Sequence, residues 1–465
     1  MTGIDDIRQV YFLGIGGIGM SALARWFRHN GLVVAGYDRT PSLLTEALQH
    51  EGIGVHYDDL GSGVQSLAGD RQTTLVVVTP AIPGDFGEWK WFSENGYSIL
   101  KRAEVLGMIC NRKKCLAVAG THGKTTVSTM AATILKFSET GCGAFLGGIS
   151  KNFDSNLILP GISDQWLVTE ADEYDRSFLR LTPDVAVITF MDADHLDIYD
   201  SYDNLKTSFL QFAGQIRSGG ALVVRRELSS LFSLLPGRKI FTYSLTGEAD
   251  FCTTELTMDP LTHHYTFKIK TPAGFTPFIT MGYPGKLNVE NAVAAGASAF
   301  LAGASLEEIK KGLEKYTGVK RRFDILYRDH KTLFIDDYAH HPEELKAFIS
   351  SVRLLYPGKK ITGIFQPHLY SRTRDFAEEF ARSLDLLDRA ILLPVYPARE
   401  LPIPDVDSGL ILGKMTIASV QLAEKREITA LIREFNPGIL LTMGAGDIEL
   451  LTTEIIACLK NETDS

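Results

Sequence analysis

Three times along the chain a short β-branched run leads into a glycine-containing turn and then into residues with helical apolar spacing, the beginning of an α/β unit. The first is "FLGIGGIGMSALARWF" (Phe12 to Phe27), the second "CLAVAGTHGKTTVSTMAATIL" (Cys115 to Leu135), and the third opens near "GVKRRFDILYRDHKTLFIDDYAHHP". This recurrence predicts an α/β protein of three tandem domains: a Rossmann-like first domain at 1–110, a P-loop ATPase-like central domain at 111–320 and a Rossmann-like third domain at 321–465. "LVVAGYD" and "TTLVVVTPAIPG" continue the first as parallel strands, "WLVTEAD" and "VAVITFMDADH" the second, and "KITGIFQPH", "RAILLPVYPARE" and "GILLTMGAGDI" the third. The stretch "DFCTTELTMDPLTHHYTFKIKTPAGFTPFITM" alternates and carries turn residues, and so predicts hairpins.

Composition narrows the ligands. A net charge of -9 supplies no basic face for a nucleic-acid backbone, so any phosphate must be held by local donors. Five cysteines, odd in number and free of CxxC spacing, fit free thiols in a reducing compartment better than disulfides or a zinc site. The chain opens without a signal-peptide pattern, and no uncharged apolar run approaches the roughly 18 to 20 residues that cross a bilayer. The expectation is a cytoplasmic protein, monomer or homodimer, with no membrane and no nucleic-acid partner.

Two glycine loops stand out. Gly14, Gly16 and Gly19, with Gly17 and Ile18 between them, form GxGxxG behind a strand, the form of a dinucleotide fingerprint. Asp38 follows Gly19 by nineteen residues, where the ribose-binding acid of a nicotinamide enzyme stands. The second loop, "AGTHGKTT", places Gly120, Thr121, His122, Gly123, Lys124, Thr125 and Thr126 between a strand and a helix. There successive N–H groups and the helix N-terminus surround phosphate oxygens, the lysine neutralises them, and the following hydroxyl suits Mg2+. Val118 stands where the full GxxxxGK[ST] pattern has its first glycine. Two phosphate loops in one chain imply two nucleotide-like ligands meeting at a cleft.

Acidic clusters follow two central strands: Glu170, Asp172, Glu173 and Asp175 after the first, Asp192, Asp194, His195 and Asp197 after the second. Oxygen ligands beside a bound triphosphate are what Mg2+ requires, although either cluster alone reads as a solvated loop. In the third domain "FIDDYAHHPEE" supplies Asp336, Asp337, Tyr338, His340 and His341, and "FQPHLYSRTRDF" supplies His368, Ser371, Arg372 and Arg374. Paired arginines suit a carboxylate or phosphoryl group, and equally an exposed salt-bridge loop.

The motifs "GIGGIGMS", "TPAIP" with "KRAE", "AGTHGKTT", "EADEYDRSFL", "DADHLD", "PGKLNVENA", "GVKRRFD", "DDYAHHP", "FQPHLYSRTRDF", "VYPARELPIPDVDS" and "GAGDI" stand in an order that resembles the Mur ligase family of peptidoglycan precursor synthesis, over nearly the whole chain. The resemblance implies an ATP-dependent, amide-forming ligase that joins L-alanine to the carboxylate of UDP-N-acetylmuramate through an acyl phosphate. It implies that the first loop takes the diphosphate of a UDP-sugar, with Gly14, Gly16, Gly17, Ile18, Gly19, Asp38, Thr79, Ala81 and Arg102 lining that pocket. It gives ATP to residues 120–126 and to Asn288, Asn291, Arg322, Asp337 and Tyr338. Mg2+ goes to Thr125, Glu170 and His195, the amino acid to His341, Arg372 and Arg374, and catalysis to Lys124, His195, Arg372 and Arg374. His195 must be neutral to coordinate, so activity should fall as pH drops through its pKa. The segment 320–323 is the implied hinge of a closing third domain. Several relatives carry a carbamylated lysine in the central domain; its equivalent has no clear position here, and Lys206 lies too soon after His195.

Rival readings remain at this level. A related ligase attaches a tripeptide to UDP-N-acetylmuramate in cell-wall recycling; an NAD(P)-dependent oxidoreductase explains only the first loop; an ATP-gated binding protein keeps both loops without catalysis.

Overall fold

In the computed structural model, residues 4–192, 199, 201–233, 235–398 and 400–461 are described. The first glycine loop grows out of a five-stranded parallel sheet: β1 (Gln9–Leu13), β2 (Val33–Tyr37), β3 (Gly54–His56), β4 (Thr74–Val78) and β5 (Ser98–Lys101), in the spatial order β3-β2-β1-β4-β5. The central strands read QVYFL and TLVVV, near-continuous apolar runs, because a parallel sheet is covered on both faces. Tyr11, Phe12, Leu13, Val76 and Val77 are fully buried. Helix α1 (Ile18–His29) packs its Met20, Leu23, Ala24 and Phe27 inward.

The second sheet is mixed and, among the described residues, eleven-stranded. Its members are β6 (Lys114–Ala119), β7 (Cys142–Ser150), β8 (Ser155–Ile158), β9 (Trp166–Glu170), β10 (Val185–Ile188), β11 (Ala221–Arg225), β12 (Lys239–Ser244), β13 (Phe251–Met258), β14 (Tyr265–Thr271), β15 (Gly274–Phe275) and β16 (Ile279–Met281). β6 lies between β9 and β10, parallel to both, and runs into the second glycine loop and helix α2 (Lys124–Lys136). The alternating stretch folds as expected: β13 and β14 pair antiparallel, with inward residues of β14 alternating with outward ones. Helix α3 (Lys286–Ala302) is buried along most of its length, its run of alanines allowing close approach.

These two sheets belong to one compact unit, Met1–Val319; Lys320–Ser465 form a second. A continuous apolar cluster explains why the first two expected domains fall together: it runs from Val10 and Phe12 through Val105, Ile109 and Cys110 to Cys115, Ala117 and Leu167. A polar seam reinforces it. Asn156 of β8, wholly buried, donates to Ile18 O at 2.5 Å and to Ser21 Oγ at 2.9 Å in α1, and accepts from Arg25 Nη1 at 2.5 Å.

The second unit holds β17 (Asp324–Arg328), β18 (Leu333–Asp337), β19 (Ile361–Phe365), β20 (Arg389–Leu392), β21 (Val420–Leu422) and β22 (Ile439–Met443) in the order β17-β18-β22-β19-β20-β21. All pairs are parallel except β17 with β18. Helix α4 (Pro342–Leu355) and others cover the sheet with Leu345, Ile349, Phe380 and Leu384. Among the described residues no helix is long and apolar enough to cross a membrane, and all five cysteines are buried and free.

Candidate active site

The first cradle forms where β1 ends. Gly14 N and Ile15 N both donate to Tyr37 O, at 2.8 and 2.9 Å, which turns the chain sharply. Gly14 sits at φ +90°, and a Cβ there would stand 2.4 Å from Thr79 Cγ2 at the end of β4, so only glycine fits beside that threonine. Gly16 N donates to Asp38 Oδ2 at 2.7 Å, and Thr40 N to Asp38 Oδ1 at 3.3 Å. Asp38, predicted as a ribose acid, thus braces the loop itself. Gly17 caps α1 without a side chain, and Ile18 opens it, leaving the helix N-terminus lined by backbone. Arg102 lies over that first turn: its Nη1 would meet a Cβ on Gly19 at 3.0 Å. Thr79 N bonds Leu13 O at 3.3 Å, and Ala81, half-buried, follows in the same turn.

The second cradle is more heavily tied down. Gly120 has φ +133°, and a Cβ there would strike Thr189 Oγ1 at 2.1 Å. Thr121 N donates to Phe190 O at 2.9 Å, Asp192 N to Thr121 Oγ1 at 3.1 Å, and Thr189 Oγ1 to His122 O, so the loop is laced to the end of β10. His122 Nε2 is 3.5 Å from Asp192 Oδ2. Lys124, first residue of α2, donates to Gly120 O at 2.8 Å and to Glu173 Oε1 at 2.9 Å. Burial opposes its charge, but the carboxylates of Glu173, Asp172 and Glu170 outweigh that and hold its pKa above the ordinary lysine value. Thr125 is buried and Thr126 half-buried in the first turn of α2.

Glu170 and Thr125, both predicted for the metal, meet consecutive glycines of β7. A Cβ on Gly147 would fall 2.1 Å from Glu170 Oε2, and one on Gly148 would fall 3.2 Å from Thr125 Cγ2. A hydroxyl and a carboxylate are hard oxygen donors, the chemistry Mg2+ prefers. Among the described residues there is no group of three His, Cys, Asp or Glu able to hold a metal, and His195, Asp194 and Asp197 lie outside them. Lys206 sits on a helix face beside Asp203 and over Tyr202. On α3, Asn288 donates to Pro284 O at 2.6 Å and Asn291 to Asn288 Oδ1 at 3.4 Å. Asn291 reaches the second loop: a Cβ on Gly123 would stand 3.0 Å from its Oδ1. Next on that helix, Glu290 pairs with Arg225 at 2.9 Å, and the Arg225 guanidinium lies 4.3 Å from the Phe190 ring.

In the second unit the predicted residues gather at the C-terminal edge of the sheet. Asp337, last residue of β18, accepts from Phe323 N at 2.7 Å and Ala339 N at 2.8 Å. Burial dominates over Arg322 and these donors and pushes its carboxyl up to about 6. Both Arg321 and Arg322 approach the Tyr338 ring, at 5.1 and 5.6 Å. Arg321 and Phe323 adopt positive φ, +62° and +44°. His340 N and His341 N share Glu344 Oε2, which despite burial is held well below the usual carboxylate range by His340 first and then Arg322. The His341 ring meets Phe376 at 5.0 Å; Phe376 ends helix α5 (Tyr370–Asp375), which carries Arg372 and Arg374, the latter exposed and bonded to Asp375 at 2.7 Å.

Several features were not visible in the sequence. Four rings from three strand ends, Tyr338, His340, His368 and Tyr396, stand in a row with centroids 5.1, 6.0 and 5.7 Å apart. Beside the last of them is a cavity of about 640 Å³ lined by Gln366, Pro394, Tyr396, Glu424, Lys425 and Asp447, none of them a predicted site residue. Gln366 Nε2 donates to Asp447 Oδ1 at 2.8 Å, and Lys425 pairs with the same oxygen. Glu173, grouped in the sequence with metal-type acids, belongs to Lys124; the only hint was an acid at a strand end on the edge of the sheet that carries the loop.

Residues 9–114 match the model of the Mur ligase family catalytic domain, residues 118–299 that of the Mur ligase middle domain, and residues 321–446 that of the Mur ligase glutamate ligase domain. The UDP-N-acetylmuramate--L-alanine ligase of Phocaeicola vulgatus is 46% identical over 460 residues, 99% of this chain and 100% of that one. That of Parabacteroides distasonis is 47% identical over 452 residues, 97% of each chain. Among solved structures, the UDP-N-acetylmuramate-alanine ligase of Thermotoga maritima superposes with a TM-score of 0.80 at 26% identity, over 98% of this chain and 99% of that one. A murein peptide ligase of Psychrobacter arcticus shares the fold, with a TM-score of 0.73 at 22% identity, over 98% and 99% of the two chains.

Proposed function

The chain belongs to the Mur ligase family, and from that premise we propose that it joins L-alanine to the carboxylate of UDP-N-acetylmuramate with cleavage of ATP. The observation that carries this reading is the pair of unlike cradles in one compact unit, one a helix N-terminus flanked by Arg102 and without a lysine, the other armed with Lys124. A pyrophosphate satisfies the first without regard to what hangs from it, since the donors are N–H groups at a helix N-terminus. The glycines at 14, 16, 17 and 19 with Ile18 take the UDP diphosphate; Asp38 keeps the loop in shape; Thr79, Ala81 and Arg102 border it. The second takes ATP along 120–126, with Asn288 and Asn291 toward the adenine; the family resemblance gives the nucleotide's phosphates Arg322 as well, and its ribose Asp337 and Tyr338.

Amide formation from a carboxylate and an amine is uphill in water, so the carboxylate oxygen must become a leaving group. A muramyl carboxylate oxygen attacks the γ-phosphorus, the bond to the β-phosphate bridging oxygen breaks, and ADP leaves with that electron pair. The alanine nitrogen then attacks the acyl carbon, gives a tetrahedral intermediate, loses its proton and expels inorganic phosphate. Negative charge gathers on phosphoryl oxygens in both steps, and fixed cations placed beforehand stabilise it. Lys124, kept protonated by its acidic neighbours, serves the phosphates. Thr125, Glu170 and His195 would hold Mg2+, which would supply additional charge neutralisation there. Arg372, Arg374 and His341 are assigned to the amino acid and the phosphorylated intermediate. The nearby cavity lies at strand C-terminal ends, where open α/β sheets bind ligands. Buried free thiols and substrates of this kind agree with a cytoplasmic setting.

Phosphate release from ATP with UDP-N-acetylmuramate, with and without L-alanine, L-serine, glycine or the recycled tripeptide, tests the reading. Release that depends on L-alanine is expected. Release that depends on the tripeptide instead selects the recycling ligase, and release with no amine dependence contradicts ligation.

A further inference from the structure

The acidic run after β9 divides its work. Glu170 faces the glycines of β7, Asp172 lies 3.8 Å from Arg102 beside the first cradle, and Glu173 reaches Lys124 in the second. Of these three, only Glu173 has no solvent exposure at all, and its backbone is fixed twice, its carbonyl accepting from Tyr199 Oη at 2.6 Å and from Arg176 N at 2.9 Å. A carboxylate placed so firmly is no adaptable surface charge. An ammonium has three N–H donors, and here one is spent on Gly120 O and one on Glu173 Oε1. We infer that Glu173 is a positioning residue of the phosphate loop, whose carboxylate fixes the direction in which Lys124 presents its remaining N–H to the transferring phosphoryl group, rather than a ligand of Mg2+.

The chemistry favours that division. A lysine is a flexible point charge, and without a fixed partner it spreads over many rotamers, so orientation has to come from outside the side chain. Two anchors, a carbonyl of the loop and a carboxylate of the neighbouring strand end, remove that freedom before substrate arrives. The same carboxylate repels the nucleotide's phosphates, so its benefit lies in the transition state rather than in ground-state binding. That contrast separates positioning from a binding contact.

The inference rests on the reading that ATP occupies the second cradle, and Glu173→Gln, nearly isosteric, tests it. The variant is expected to lower kcat by about tenfold to a hundredfold, the range for a lost charge-assisted hydrogen bond, while KM for ATP stays within about twofold or falls. Glu173→Asp keeps the charge with a shorter reach and should recover part of kcat, again without raising KM. Binding of UDP-N-acetylmuramate at the first cradle, measured by calorimetry, verifies folding; if the glutamine variant does not fold, the aspartate variant decides alone by the same criterion. A kcat equal to wild type, or a rise in KM for ATP with kcat intact, overturns the positioning role. An inactive wild type would instead indict the ligase reading itself.

Discussion

The two glycine loops of the first unit begin alike, each at the end of a parallel strand and the start of a helix, yet they are finished differently. In the first, Asp38 accepts from the Gly16 N–H and no lysine follows, so what remains for a ligand is the helix N-terminus and Arg102 at its flank. In the second, Lys124 stands at the helix start, locked to Gly120 and Glu173, with Thr125 behind it. The contrast fits the proposed division of labour, a first loop that holds a diphosphate and a second that serves a phosphate in transfer.

The largest expected effect breaks one loop and spares the other. Lys124→Ala should reduce ATP-dependent phosphate release by about a hundredfold to a thousandfold, the scale of removing one preorganised donor, with UDP-N-acetylmuramate binding unchanged by calorimetry. Retained turnover would erase the distinction between the loops. The converse variant, Gly14→Ala, forces a Cβ into Thr79 at an unfavourable φ. It should weaken UDP-sugar binding by about tenfold to a hundredfold through strain of about 1–3 kcal/mol, while the ATP-analogue affinity holds.

A pH measurement sharpens the nucleotide side. Asp337, raised to about 6, is a much stronger acceptor for ribose hydroxyls when ionised. KM for ATP should therefore climb as pH falls through 6, by about tenfold near pH 5, with KM for the UDP-sugar not following it. Because the folded-state pKa is raised, the same group favours folding below the unfolded carboxylate pKa and that contribution is lost as pH rises through 6. Asp337→Asn should flatten both trends, seen in steady-state kinetics and in thermal unfolding against pH. The smallest effect is expected from Asp38→Asn, which keeps an acceptor for Gly16 N but loses its charge: UDP-sugar affinity should drop by about threefold to tenfold. A much larger loss would restore Asp38 to direct ligand contact.

Much of this was legible in the residues. Period and turn chemistry placed β1, β6 and β18 and the loops after them, because each is a local signal. The antiparallel β13–β14 pair was legible for the same reason. The seam of Asn156 with α1 was not: its Arg25 contact spans 131 residues, and an asparagine between Ser155 and Leu157 carries no mark of a partner. Nor was the Lys124–Glu173 pair, 49 residues apart, since the acids at 170, 172 and 173 are alike in sequence and only the strand end decides which way each points. The cavity at Lys425 and Asp447 arises from four separate strand ends and has no contiguous motif.

Simultaneous equilibrium binding of UDP-N-acetylmuramate and a non-hydrolysable ATP analogue to the intact protein, each titrated with the other at saturation, tests the claim of two distinct cradles most directly. The account predicts that each ligand binds at one equivalent in the presence of the other, and that Lys124→Ala weakens only the analogue. Mutual displacement of the two ligands, or expulsion of the UDP-sugar by a nicotinamide dinucleotide, would contradict it.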